Sequence, residues 1–591
     1  MGHIDGEKPE APPHSAAVDV DVEAGGSPEP SAPVVAGGGG GGSGGGWRQR
    51  CDPVRLLRRS WRRHRVFWAL GAWAAATGYF VASLALRRKT HVSDVLPLIA
   101  IYVLLSGKLL VAFVGTARVS GPAGRAADWA MAHVRRAPRG ARYAGASGAL
   151  LAAALGVALG VPESATGTRL QRMQSLLGIA VIVTALVATS RRPRRIPWRT
   201  VIAGLLLQLG LGCIAMKTRW GSDFFTWASG MAEGLLAFAK YGAEFLFGDN
   251  PDTLALFAMS VFPALIFFAA LVQIMTYLGG VQWLLRNLGW AFQTLLGTTG
   301  AESVVAVAAP LVGQSEGMLL VKDCLEHVTR SEIHAFLTAG FSTVSGSMLQ
   351  GYIALGVNPK NIITSCVMSV PCALALSKIR WPETDDESAL ARNSSSSSSN
   401  NKTPALRLGA HGGEREANLL HAMCNGASTG MQLSLLIAAN LIAIVSLVQL
   451  ADFCLGWLGQ FVGIAALRVE QILGWVLYPY AWLLGAPPRD VLNVSQLLGL
   501  KFITNEFVAY QRLGTDASAS SVRATLTERG RIIAELSLCG FGNLGSIAMQ
   551  IGLAGTLAPS RKADFSRIAL SACITGSIAT TLTAAVIALM A

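Results

Sequence analysis

From about residue 66 onward, long apolar runs alternate with short polar or basic stretches. A spanning helix needs about 20 mostly apolar residues, at 1.5 Å each, to cross roughly 30 Å of hydrocarbon. On that measure, spans are predicted near 66–86, 95–117, 145–161, 172–190, 198–216, 253–279, 331–357, 360–378, 430–460, 530–556 and 566–590. Two further runs, 297–321 and about 488–511, are apolar but carry Gly, Pro and acidic residues that do not suit a plain span. Each is long enough to enter the membrane and turn back as a helical hairpin. The pattern predicts an all-α polytopic membrane protein with about eleven transmembrane helices and two re-entrant helical hairpins.

Composition supports a membrane chain. Of 591 residues, 52% are hydrophobic and 14% charged, against about 25% charged in soluble domains, and the mean hydropathy is +0.45. A soluble enzyme or a nucleic-acid binder is thereby excluded. The formal charge of +14 lies in short clusters between apolar runs, the distribution that holds loops on the cytoplasmic side. Nine cysteines show no C-x-x-C spacing, and several sit inside apolar runs, so they read as small core residues rather than disulfides.

Residues 1–46 are rich in Gly, Pro, Ser and Ala and cannot build a core, so a disordered cytoplasmic tail is expected, and no signal peptide. A basic segment from Arg48 to Arg65 follows and should keep the N-terminus inside. With eleven spans the C-terminus falls outside. The arginines of 118–144, the RRPRR of 191–195, and Arg561 with Lys562 then all face the cytoplasm. Arg87, Arg88 and Lys89 fall on the wrong side and are assigned to snorkelling at a helix end.

The two hairpins occur in matching surroundings. Each precedes a span broken by small polar residues, FSTVSGSML at 341–349 and CGFGNLGSI at 539–547, and then a smoother span, 360–378 or 566–590. Non-helical backbone at membrane depth leaves N–H and C=O groups without partners, at several kcal/mol each, unless it lines a cavity or meets a ligand. Paired interruptions in two halves point to a transporter's solute site near the midplane. Glu316 and Glu506 are acids in apolar surroundings, expensive there unless paired, hydrated or functional. With Gln314, Ser315, Asn505, Asn543 and Ser546 they suit a neutral polyhydroxyl or heterocyclic solute better than an anion, and Phe541 adds a flat apolar face for a ring. Glu302 is read as structural, satisfying N–H groups of a hairpin tip.

These segments resemble the concentrative nucleoside transporters, the cation-coupled symporters of nucleosides. The similar stretches are LGTTGAES at 296–303, VGQSE at 312–316, GYIALGV at 351–357, VMSVPCALALSKIRWPET at 367–384, NEFVAY at 505–510, LCGFGNLGS at 538–546 and LAPSRK at 557–562. The resemblance covers roughly 170–590 and implies a homotrimer in which an inverted-repeat transport domain moves like an elevator against a scaffold domain. It divides the chain into the tail 1–46, a basic segment with three N-terminal spans (47–161), scaffold helices (162–279), the first half of the transport domain (280–379), a cytoplasmic linker (380–416), a scaffold helix (417–470) and the second half (471–591). The plasma membrane is the expected location.

Carried over by motif, the resemblance implies that Gln314, Ser315 and Glu316 bind the nucleobase and that Glu506, Asn543 and Ser546 take the ribose hydroxyls. Phe541 packs near the base, and Met348 faces the base edge, where it tunes purine against pyrimidine choice. Charged acceptors make the stronger hydrogen bonds to a diol. The family's sodium site maps onto Ala309, Val312, Thr343 and Val344, and alanine here replaces an asparagine ligand. Na+ needs oxygen ligands, which a methyl cannot supply. Ser315 replaces a threonine, Gly317 and Met318 replace Ala-Pro, and Glu535 stands where the family is generally neutral. An acid in a span can carry a coupling proton, so the coupling cation is H+ or Na+, with the proton favoured. No other cofactor is implied.

Other classes fit less well. A proton-coupled transporter of another small neutral heterocycle uses the same site chemistry. An ion channel has no need of two acids among amides and a stacking ring. For an intramembrane serine hydrolase, GASTG at 426–430 matches G-x-S-x-G and GASG at 145–148 is similar, but neither follows a strand, and none of the nine histidines is placed in mid-span. Small residues at such spacing more often let membrane helices approach closely. The polar linker holds sequons at Asn393 and Asn401. Because the topology places them inside, both are expected to stay unmodified, and endoglycosidase treatment of the expressed protein should leave its mobility unchanged.

Overall fold

The computed structural model describes residues 73–74, 77–78, 139–163, 167–248, 257–383, 416–461, 463, 467–514 and 521–591. The expectations for the tail 1–46, the basic segment to Arg65, the spans 66–86 and 95–117, the arginines before residue 139, and the sequons at Asn393 and Asn401 lie outside these residues. The chain divides into two units, 1–121 and 122–591. In the first, only Trp73–Ala74 and Thr77–Gly78 are described, and they are helical, with the Thr77 hydroxyl donating to Trp73 O at 2.7 Å.

In the second unit every described element is helical. The first six helices are α1 (Arg139–Gly160), α2 (Arg169–Ala188), α3 (Trp198–Lys217), α4 (Arg219–Phe247), α5 (Phe257–Tyr277) and α6 (Gly280–Leu296). Helices α1, α2, α3 and α5 correspond to predicted spans, although α1 begins at Arg139 and takes Arg139 and Arg142 out of the expected loop. Thr168 and Gln171 start α2 with a capping box. Helices α4 and α6 were not predicted. Helix α4 turns Trp220, Phe224, Met231, Phe238, Tyr241 and Phe245 outward, so its aromatic face is too interrupted to read as a span. Helix α6 bends away from α5 by 78° at Gly279, whose φ of 80° suits glycine.

The first hairpin follows as α7 (Gly300–Ala308) and α8 (Gln314–Leu319), then the first broken helix as α9 (Arg330–Ser342) and α10 (Gly346–Ala354), then α11 (Pro359–Arg380). Helix α12 (Leu419–Phe461) runs 43 residues and starts well before the predicted 430. Helix α13 (Val469–Leu483) was missed, and it carries the expected domain boundary at 470/471 inside its first turn. The second hairpin is α14 (Val491–Ile503) and α15 (Glu506–Leu513). A short α16 (Val522–Thr525) leads to the second broken helix, α17 (Glu528–Leu538) and α18 (Leu544–Leu557), and α19 (Lys562–Met590) closes the chain.

Five described helices are long and apolar enough to cross a membrane, or six if the bent pair α5–α6 is one span. The shorter arms of the hairpins and broken helices lie outside that length criterion, and the predicted span 530–556 is two helices rather than one. Burial separates centre from periphery: 89% of the apolar window of α11 and 83% of that of α19 are buried, against 11% for α12. Helices α9, α11, α17 and α19 therefore form the centre, with both broken helices packed on α19. Gly576 of α19 meets Phe341 of α9 so closely that a Cβ there would lie 2.7 Å from the Phe341 Cβ. Gly426 and Gly430 do the same between α12 and the Ala270 and Ile266 backbone of α5. The GASTG stretch is thus a helix-packing surface and not a nucleophile elbow.

Cys213, Cys366, Cys372, Cys424, Cys454, Cys539 and Cys573 form no disulfide among the described residues. The histidine expectation needs correction. His334 is fully buried within α9, with Nδ1 2.7 Å from the equally buried Ser377 Oγ and its ring stacked on Trp381. Its polar atoms knit α9 to α11 and α19. Glu302 is structural, but at the base of the first hairpin and not at its tip: it completes a capping box with Thr299 at the start of α7 and meets Lys378 Nζ at 2.5 Å. Lys378 also holds Glu383 Oε1 at 3.1 Å and Ser331 Oγ at 3.1 Å. This buried pair ties the base of the first hairpin to α11. Breaking one partner leaves an uncompensated buried charge, worth about 3–5 kcal/mol. Lys378→Met should therefore lower the melting temperature of the purified protein steeply, and adding Glu302→Gln to it should restore most of the loss.

Candidate functional site

The site begins where two helices stop. Helix α9 ends at Ser342 and α17 at Leu538, and their free ends meet: the Phe541 N–H donates to Thr343 O at 3.3 Å, and Thr580 Oγ1 of α19 donates to Ser342 O at 3.0 Å. Gly540 makes the crossing possible. Its φ is 96°, and a Cβ there would lie 3.0 Å from Phe341 O. The tip of the first hairpin closes on the same place: a Cβ on Gly313 would lie 3.3 Å from that of Ser345, and one on Gly346 would lie 3.1 Å from Leu311 O.

Between the breaks and the tips lies a cavity of about 430 Å³, within the range of about 300–1,000 Å³ typical of small-molecule sites. All eight residues assigned to the solute line it: Gln314, Ser315, Glu316, Met348, Glu506, Phe541, Asn543 and Ser546. No Lys, Arg or His is among its lining residues.

Four helix starts point into this cavity. Asn505 caps α15 by accepting from Val508 N at 3.0 Å, which leaves Glu506 in the first turn, where the helix dipole favours an anion. Glu506 is 3% exposed. Tyr352 Oη donates to its Oε1 at 3.0 Å, and Asn543 Nδ2 donates to its Oε2 at 2.9 Å. Asn543 also caps α18 by accepting from Ser546 N at 2.8 Å. One amide thus starts the second half-helix and aims the acid. On the other side, Ser345 caps α10 by accepting from Met348 N, and Gly313, with φ 125°, opens α8. Gln314 is buried, and its Oε1 has no hydrogen-bond partner among the described residues. Ser315 Oγ accepts from Gln550 Nε2 at 3.4 Å, joining the first hairpin tip to α18. Glu316 is half-buried and lines both this cavity and a neighbouring one of about 190 Å³.

The cation set is not assembled in the same way. Thr343 Oγ1 donates to Ala339 O of its own helix at 3.0 Å. Val312 faces the neighbouring cavity, and Val344 faces a separate apolar one. Among Ala309, Val312, Thr343 and Val344, the only side-chain oxygen is that of Thr343. Glu535 lies outside the chamber lining, held by Arg523 Nη2 at 2.6 Å and Asn361 Nδ2 at 2.6 Å.

Sequence profiles match most of the chain from α2 onward. One described as "Na+ dependent nucleoside transporter C-terminus" covers 361–588, its N-terminal counterpart covers 177–250, and "Nucleoside recognition" covers 258–358. The solute carrier family 28 member 3 of Rattus norvegicus is 36% identical over 425 residues, 70% of this chain and 58% of that protein. The sodium/nucleoside cotransporter 1 of the same species is 34% identical over 448 residues, covering 74% of this chain and 67% of that one. The chain belongs to the concentrative nucleoside transporter family. A solved family structure, CNTnw in an inward-facing substrate-bound state, superposes with a TM-score of 0.64 at 31% identity, over 71% of this chain and 97% of that one. The match spans 58% of the length of the solute carrier relative. These family members are named as transporters, not enzymes.

Beside the family motifs, the chamber and the groups buried behind it include polar residues that sequence reading missed. Tyr352 sits in the quoted GYIALGV, but nothing in its spacing shows that it reaches Glu506 across 154 residues. Thr429, Gln432 and Asn440 come from α12. Their signal was present: they are polar positions in an otherwise apolar helix, and Thr429, Leu433, Leu436, Asn440 and Ile444 follow the 3.6-residue period of one face.

Proposed function

We propose that this protein is a secondary active symporter that imports nucleosides across a membrane, driven by a cation gradient. The observation that carries the reading is the lining of the chamber: two carboxylates, several amides and hydroxyls, the rings of Phe507 and Phe541, and no basic residue. Such a site rejects anions and suits a neutral solute with a flat ring and a diol. The unpartnered Gln314 Oε1 accepts from a nucleobase N–H, with Ser315 and Glu316 beside it. Glu506 offers its remaining lone pairs to the ribose hydroxyls, with Asn543 and Ser546 flanking. Phe541 lies against the base, and Met348 at its edge selects among bases.

The assembly is proposed to be a homotrimer in the plasma membrane, its N-terminus in the cytoplasm and its C-terminus outside. The two hairpins, the broken helices, α11 and α19 are proposed to move together as an elevator against a scaffold that includes α12. Proton coupling is favoured over sodium because Ala309 brings no oxygen to the first break. Glu535, bound to Arg523, is withdrawn as the proton's carrier, which leaves Glu316 and Glu506 as the acids in the chamber.

Glu506→Gln removes a charge-assisted acceptor worth about 1.5–3 kcal/mol, so uridine or adenosine uptake should fall about ten- to hundredfold at unchanged surface expression. A native rate would refute the ribose role. Radiolabelled uptake with sodium replaced by choline, at pH 5.5 and pH 7.5, should persist and be faster at the lower pH. Loss of uptake at both pH values would establish sodium coupling instead.

A further inference from the structure

A helix that stops inside a membrane leaves its last carbonyls in need of donors. At the end of α17, Tyr510 Oη donates to Glu535 O at 2.8 Å and Ser365 Oγ to Leu536 O at 3.3 Å. The next two acceptors share one donor: Lys501 Nζ reaches Ser537 O at 2.9 Å and Cys539 O at 2.8 Å. At the end of α9 the corresponding donors are neutral. Ser342 Oγ and Thr343 Oγ1 each reach Ala339 O at 3.0 Å, Thr580 Oγ1 reaches Ser342 O at 3.0 Å, and Phe541 N reaches Thr343 O at 3.3 Å. The two breaks are alike in outline but differ by one full charge.

Lys501 stands on α14, the first arm of the second hairpin, and is 3% exposed. Its hydrogen bonds go to backbone carbonyls and not to a carboxylate. A helix C-terminus carries negative partial charge, and unwound carbonyls at such ends are the groups that coordinate monovalent cations in transporters. The first hairpin, residues 300–321, contains no Lys or Arg, so the first break has no equivalent group.

We propose that Lys501 is a tethered cation: its ammonium permanently occupies the carbonyl cradle of the second break and fixes the turn from which Phe541 and Asn543 reach the solute. A free cation is thereby kept out of the carbonyls of the second break. Lys501 acts through the turn it holds and is a positioning residue, not a solute contact.

The test uses the full-length protein with Lys501→Ala and propylammonium, the fragment that this substitution removes. Nucleoside uptake should fall at least about tenfold, the scale of leaving two buried carbonyls without their donor. Millimolar propylammonium should raise the melting temperature of the purified variant but not of the native protein, and should restore part of the uptake, while propanol does neither. Lys501→Met replaces the stem without the charge and should lose uptake at unchanged surface expression. A native uptake rate in either variant, or a Lys501→Ala protein whose melting ignores propylammonium, overturns the proposal. The uptake arm rests on the nucleoside reading and the melting arm does not. A native protein that moves no nucleoside, with an alanine variant stabilised by propylammonium, keeps the tethered cation and removes the transport reading.

Discussion

Unpaired backbone in a hydrocarbon slab is the constraint from which this architecture follows. Two helices end buried inside the protein, at Ser342 and Leu538, and each end would be untenable alone. Their solution is mutual. The Phe541 N–H satisfies Thr343 O, the hydroxyls of α19 and of the helices themselves take other carbonyls, and Lys501 spans two more. Because the breaks must meet to satisfy one another, the polar groups they free are concentrated in one place. The chamber is a consequence of that meeting.

Within the chamber, the side chains that cap the helices also hold the acid proposed to meet the solute. Asn543 starts α18 and holds Glu506, and Asn505 starts α15 and places Glu506 in its first turn. The acid is therefore fixed from two sides before any solute arrives, which limits the ordering cost of binding. Gln314 differs, since its carbonyl oxygen is buried without a partner among the described residues. A group left in that condition favours a ligand that brings a donor. In the proposed reading, hydrogen bonds within the protein serve the ribose side, and an unmet acceptor serves the base side.

Much of this was legible in the sequence because the relevant signals are local. The breaks at 341–349 and 539–547 are runs of small polar residues in apolar surroundings, and the hairpins carry acids where a plain span would not. Those signals, with the family motifs, picked out eight residues that line one cavity. What escaped depends on distance in the chain. The partnership of Tyr352 with Glu506 has no local trace. Glu535 shows an acid in a span, but its pairing with Arg523 appears only once α16 packs against α17. Helices α4, α6 and α13 were missed because their apolar faces are narrow or short, so that hydropathy alone does not separate them from loops.

The most direct test is a structure of the purified protein in a bilayer mimetic with uridine bound. Ligand density between the Gln314–Glu316 tip and the Glu506–Asn543 pair, with the ring against Phe541 and the diol toward Glu506, is the predicted result. Density in another part of the molecule, or a pair of helix breaks that stand apart in the bound state, would contradict the account.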